Sequence, residues 1–159
     1  MKSPLLLSLV FLLSAGTEAQ SAGKTAHRNT LAENPLVGAW KLISLEEPAP
    51  NGQLHKADCD GMFVFTRNRK ASVQVMYRNE HTGSAYAQSG YEASYGSYRI
   101  GDSSTFTFHI EGALVRTLIG KDLKRKYQIS GNRLTVTSTD PNEHWRVVWE
   151  RYHRMETEE

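Results

Sequence analysis

His109 and Glu111 stand two positions apart in the stretch Thr105 to Glu111 (TFTFHIE). In an extended chain that spacing puts an imidazole and a carboxylate on one face, about 7 Å apart. A carboxylate beside an imidazole favours the charged ring, so such a pair can hold and pass a proton. Arg125, on a later stretch, can meet the pair across an enclosed space and keep the carboxylate ionised. Together the three would anchor a ligand carboxylate or carbonyl, or give an isomerase or cyclase its acid–base pair, His109 and Glu111. The alternation itself offers another arrangement. Phe106, Phe108 and Ile110 occupy the opposite face, and if they turn inward, His109 and Glu111 meet water. Tyr98, Gln74 and Met76 are further candidate ligand contacts: a ring with a hydroxyl tip, an amide and a soft adaptable thioether. Each is also ordinary packing material.

Other chemistries find little support. The histidines at 27, 55, 81, 109, 144 and 153 never occur as His-x-His or His-x3-His, so no local metal-ligand pair exists and no metal is expected. Gly120-Lys121-Asp122 lacks the leading glycine and the following Ser or Thr of a phosphate loop. No Gly-x-Ser-x-Gly elbow is present. No cofactor is expected. With 19 basic against 17 acidic residues, the net charge of +2 is too small for the basic stripe of a nucleic-acid binder. The single cysteine, Cys59, excludes a disulfide framework. It sits between Asp58 and Asp60, whose charges disfavour a thiolate, and is read as a bystander.

The elements that must position these residues begin after an export segment. Lys2, the apolar run Leu5 to Leu13 and the small residues up to Ala19 follow the order of a secretory signal peptide, residues 1–19, with cleavage after Ala19. The run is half the length of a membrane span, so stable membrane insertion is not expected and the mature chain would be secreted or periplasmic. Residues 20–33 are polar and aperiodic and read as a flexible arm; 154–159 form a polar tail.

Between them, residues 34–153 alternate with period two. Val37 to Leu45, Met62 to Phe65, Ala71 to Tyr77, Tyr95 to Ile100, Thr105 to Glu111, Leu123 to Ile129, Arg133 to Thr139 and His144 to Arg151 are each bounded by turn residues. Ser130-Gly131-Asn132 marks a hairpin. Gly83 to Ser94 is the one stretch that fits a short helix or an ordered lid. About eight strands at this spacing predict an all-β, closed antiparallel barrel with at most one short helix, since closure removes exposed edges. Nothing in the sequence sets an oligomeric state.

Gly38-Ala39-Trp40 opens the first strand. A glycine two residues before a tryptophan lets the chain bend while the indole covers a barrel's closed end, and Arg151 or Arg146 supplies a cation to stack on it. Gly38, Trp40 and Arg151 are therefore read as structural. With Gly61-Met62-Phe63-Val64-Phe65-Thr66, Ala71-Ser72-Val73-Gln74-Val75-Met76, Tyr95-Gly96-Ser97-Tyr98, His109-Ile110-Glu111-Gly112-Ala113-Leu114, Gly131-Asn132-Arg133-Leu134-Thr135 and Val147-Val148-Trp149-Glu150-Arg151, the stretch 36–151 resembles the bacterial and fungal lipocalin-like domain family. Val115-Arg116-Thr117-Leu118 departs from the Pro-Asn-Trp usual there. The resemblance implies a small lipocalin-like barrel that holds a small hydrophobic or amphipathic molecule in its lumen; His109, Arg125, Tyr98, Gln74 and Met76, singled out above from their side-chain chemistry, are the candidate ligand contacts. Two other roles remain open on the same fold: an isomerase or cyclase using the cavity, and a filled barrel acting as an envelope interaction protein.

Overall fold

Alternating residues build strands because each successive side chain leaves the backbone on the opposite side, so one face can be buried and the other wetted. The structure is a computed structural model and describes residues 34–49, 51–80 and 84–152. The expected export segment 1–19, the arm 20–33 and the tail 154–159 lie outside the described residues. Among the described residues nine strands form: β1 (Gly38–Pro48), β2 (Leu54–Lys56), β3 (Cys59–Phe65), β4 (Lys70–Tyr77), β5 (Tyr91–Ile100), β6 (Thr105–Ala113), β7 (Asp122–Ser130), β8 (Arg133–Ser138) and β9 (Arg146–Arg151), with one 3-10 turn at Arg116–Leu118.

Every pairing is antiparallel, and β1 joins β9 as well as β3, which closes the sheet. The result is a closed barrel of eight strands, with β2 appended to the end of β1. The fold class agrees with the expectation from period and spacing. The helix considered for Gly83 to Ser94 is not formed over its described part. Ser84 to Gly90 runs through turns with bridges Ser84 to Ala87 and Gln88 to Tyr91, and Tyr91 onward is β5.

Two bulges shape the wall. On β1, Leu42 faces Trp149 and Ser44 faces Val148, leaving Ile43 as the extra residue. On β6, Tyr95 of β5 opposes Gly112 and Gly96 opposes Ile110, so Glu111 is the extra residue. A bulge increases local twist and re-aims the side chains that follow it. After Ile43 the inward set on β1 passes from Trp40 and Leu42 to Leu45 and Glu47.

One end of the barrel is solid. Trp40, Phe65, Phe106, Leu36, Ile110 and Leu134 are its largest fully buried side chains, and burying each contributes roughly 1.5–3 kcal/mol. Trp40 donates its indole N–H to the Leu36 carbonyl at 2.8 Å. Arg151 lies over the Trp40 ring, 4.0 Å from guanidinium carbon to centroid. Its Nη2 donates to the Pro35 carbonyl at 2.7 Å and its Nη1 to the Val37 carbonyl. Gly38 makes this approach possible. Its φ is +140°, and a Cβ there would stand 2.5 Å from Arg151 Nη1.

Candidate functional site: the lumen

Toward the other end the barrel is hollow. The cavity measures about 810 Å³. Its floor and walls are apolar: Phe63, Phe106 and Trp149 below, with Leu42, Val73, Val75, Phe108 and Val136 around them. The rings at the bottom form a continuous cluster of tilted and edge-on contacts, Phe63 lying 5.6 Å from Trp149 and 6.4 Å from Phe106 between centroids. Period two explains the lining. Val73, Val75 and Tyr77 are the buried alternates of β4, and Phe106 and Phe108 those of β6.

Polar groups gather nearer the opening. On one side Arg125, 8% exposed, projects inward from β7. Its Nη2 donates to the Tyr86 hydroxyl at 2.9 Å, and Tyr86 in turn donates to Glu143. Arg125 Nη1 reaches Glu143 Oε2 and Ser138 Oγ, each at 3.4 Å. The guanidinium also lies between two rings, 5.3 Å from Tyr86 and 4.9 Å from Trp145. Burial pushes the Glu143 carboxyl up, but hydrogen bonds from Ser138 and Tyr86 and the Arg125 charge outweigh it and hold the group below its usual range. Burial, with the hydrogen bond to Glu143, pushes the Tyr86 hydroxyl up to about 12. This Arg125–Tyr86–Glu143 network ties the segment Ser84 to Gly90 to the β8–β9 connection across the opening. That segment takes the place the sequence offered to an ordered lid.

On the other side stand Glu47, Tyr77 and Glu92. Tyr77 donates to Glu47 Oε2 at 3.2 Å. Burial and the neighbouring charges of Glu47 and Glu92 push the Tyr77 hydroxyl well above its ordinary range. Glu92 is placed by its pairing with Val75, which aims it into the cavity. Desolvation raises its carboxyl from 4.5 to about 7; Glu47 adds to the rise and Arg125 opposes it. A carboxyl in this state accepts or donates a hydrogen bond according to pH.

The residues singled out from sequence are distributed differently from the expected arrangement. Arg125 does face the lumen, but it does not meet His109 and Glu111. Those two point outward from β6. His109 pairs through Nδ1 with Asp122 at 2.7 Å, and Glu111 takes two hydrogen bonds from Lys70, at 2.7 and 2.9 Å. The cause is the strand itself, which commits Phe106, Phe108 and Ile110 to the interior and so turns His109 and Glu111 to the outer face, where Thr105 and Thr107 are nonetheless covered. A lumen acid–base pair of His109 and Glu111 is therefore ruled out by geometry.

Gln74 and Met76 are likewise on the outer face of β4. Gln74 donates to Ser72 Oγ at 3.2 Å and Met76 is 51% exposed. Tyr98 is buried but away from the cavity, donating to the Thr66 carbonyl at 3.0 Å and accepting from Asn34 at 2.9 Å. Gly38, Trp40 and Arg151 form the closed end already described. Cys59 is half-buried; desolvation first, then Glu47, Asp60 and Asp58, push its thiol up to about 11. No thiolate is available there near neutrality.

Glu47, Glu92, Tyr77, Tyr86 and Glu143 were not singled out. One signal pointed to Glu92: it shares parity with Ser94 and Tyr98, the buried positions of β5. Among the described residues, no helix is long and apolar enough to cross a membrane.

Residues 37–152 match a family described as a lipocalin-like domain. Among solved structures, an uncharacterized protein from Bacteroides eggerthii is 15% identical, with 74% of this chain and 99% of that one covered, at a TM-score of 0.46. No curated protein matches the chain.

Proposed function

We propose that this chain, which belongs to the lipocalin-like domain family, holds one small hydrophobic or amphipathic molecule in its lumen. The cavity carries the reading. At about 810 Å³ it falls within the roughly 300–1,000 Å³ of small-molecule sites, with an apolar floor and a few polar groups at one end. That volume favours a guest-holding barrel over a filled one. An aliphatic or ring-bearing body would lie against Phe63, Phe106 and Trp149, where displaced water returns to bulk. Its polar end would remain beside Glu47, Glu92 and the Arg125 network. The charge and apolar pattern of residues 1–19 supports placing this activity outside the cytoplasm, in the secreted or periplasmic fraction.

Two tryptophans of the lining report on occupancy. Titration with retinoids, terpenoids, quinones and fatty alcohols is expected to quench Trp145 and Trp149 fluorescence and raise the melting temperature for at least one class. Val136→Trp, which fills the cavity, is expected to abolish the response while the barrel stays folded by circular dichroism. If the whole panel shifts neither fluorescence nor melting, the reading is overturned. Cleavage after Ala19 predicts a mature N-terminus at Gln20, readable by mass spectrometry of exported protein.

A further inference from the structure

The charge inside the lumen is unbalanced. Glu47, Glu92 and Glu143 face the cavity with Arg125 as the guanidinium among them. Arg125 is already engaged, donating to Tyr86, Glu143 and Ser138 and stacked between Tyr86 and Trp145. Glu143 is thereby matched. Glu47 receives the Tyr77 hydroxyl, a neutral donor. Glu92 is influenced by the charges of Arg125 and Glu47, with no hydrogen bond from a described residue among the causes acting on it. Among the described residues, two carboxyls thus share one side of the opening without a cation paired to either. The lumen also leaves a donor open. Trp149 lines it, is 3% exposed, and its Nε1 has no hydrogen-bond partner among the described residues. Among the described residues no group of three or more His, Cys, Asp or Glu is placed to hold a metal ion.

We infer that the lumen selects a cationic amphiphile, its protonated amine lying beside Glu92 and Glu47 and its apolar tail reaching Phe63, Phe106 and Trp149. This rests on the lumen reading above and specifies the head group of the guest. A carboxylate head would meet two like charges and find Arg125 occupied. An alcohol would gain hydrogen bonds but no ion pair. In a site of low dielectric, the difference between an opposite and a like charge is large compared with water. An alkylammonium is also more easily desolvated than a small inorganic cation, and aromatic walls favour it.

The test uses three molecules of one tail length, dodecylamine and dodecanoate below their micelle concentrations and dodecanol below its solubility limit, titrated into the mature protein at pH 8 with tryptophan fluorescence as readout. The amine is expected to bind about tenfold or more tighter than the alcohol, and dodecanoate weakest. Glu92→Gln, and Glu47→Gln separately, are expected to cut the amine-to-alcohol ratio about fivefold, because the amine loses an ion pair where the alcohol loses only a hydrogen bond. Lowering the pH to 5.5 protonates Glu92 and is expected to shrink the ratio in the native protein more than in Glu92→Gln. Glu47, Tyr77, Arg125 and Glu143 also face this space, with His55 and His144 at its rim, and the Gln variants separate the Glu92 contribution from theirs. A ratio near one, or dodecanoate binding tightest, overturns the inference and leaves the lumen reading intact. No binding of any of the three overturns the inference, and the lumen reading falls with it only when the retinoid, terpenoid and quinone panel fails as well.

Discussion

The guanidinium of Arg151 covers the indole of Trp40 from 4.0 Å while the ring's N–H is spent on the Leu36 carbonyl. Strand β9 and the entry to β1 are therefore locked by one side chain, which also donates to the Pro35 and Val37 carbonyls. A cation–π contact at such a half-buried site contributes about 1 kcal/mol, and each of the two carbonyl bonds, open in part to water, adds on the order of 1 kcal/mol. Arg151→Met is expected to lower unfolding free energy by about 3 kcal/mol, measured by urea denaturation. Gly38→Ala is expected to cost about 1–3 kcal/mol, because it places a Cβ against Arg151 Nη1 at a φ that only glycine adopts easily. The two losses should be less than additive in a double-mutant cycle, since each displaces the same guanidinium.

Glu92 makes stability pH-dependent in a defined direction. Its folded-state value, about 7, lies above its ordinary 4.5. Between those values the folded protein keeps a proton that the unfolded chain releases, so stability falls as pH rises through that window and levels off above it. Glu92→Gln removes the titration. Its melting temperature is expected to gain on the native protein from pH 4.5 to about 7, and then run parallel to it. A constant difference across the range would refute the assignment.

His109 and Arg125 should respond in opposite ways to removal. His109→Ala deletes an exposed contact to Asp122 and is expected to leave both the urea midpoint and guest binding unchanged within error. Arg125→Met strips a buried guanidinium from Tyr86 and Glu143 and is expected to destabilise by about 2–3 kcal/mol. Loss of guest binding in His109→Ala would contradict the outward placement of β6.

Gly96 tests the β6 bulge. A Cβ at that position would lie 1.8 Å from the His109 carbonyl oxygen, a backbone atom with nowhere to go. Gly96→Ala is expected to cost more than about 3 kcal/mol, or to prevent folding altogether. Gly120→Ala meets open space and carries only the cost of its positive φ, about 1 kcal/mol. Soluble yield and circular dichroism of the two variants, side by side, check the contrast.

How much of this was legible depends on the local pattern. The inward face of strand β6 could be read from Phe106, Phe108 and Ile110, which alternate with Thr107, His109 and Glu111; the burial of Thr105 and Thr107 on the other face could not. The resemblance to relatives drew His109 and Glu111 back toward the lumen, and the alternation proved the better guide. Glu47 was hidden by the Ile43 bulge, which shifts the inward phase of β1 between Leu42 and Leu45. No propensity marks such an insertion in advance. Glu92 lay in Gly83 to Ser94, a small-residue stretch with no apolar period of its own, so that only its parity with Tyr98 further along the strand marked it. Tyr86 and Glu143 belong to connections, where tertiary closure decides which way a side chain turns.

The antiparallel seam of β1 with β9 carries a practical consequence. Trp40 opposes Arg151 at its solid end and Glu46 opposes Arg146 near the opening, so Asn34 and Tyr152 emerge together at the pole away from the mouth. Tethering the barrel to a sensor chip from either site would leave its entrance turned toward bulk liquid, free to load and unload.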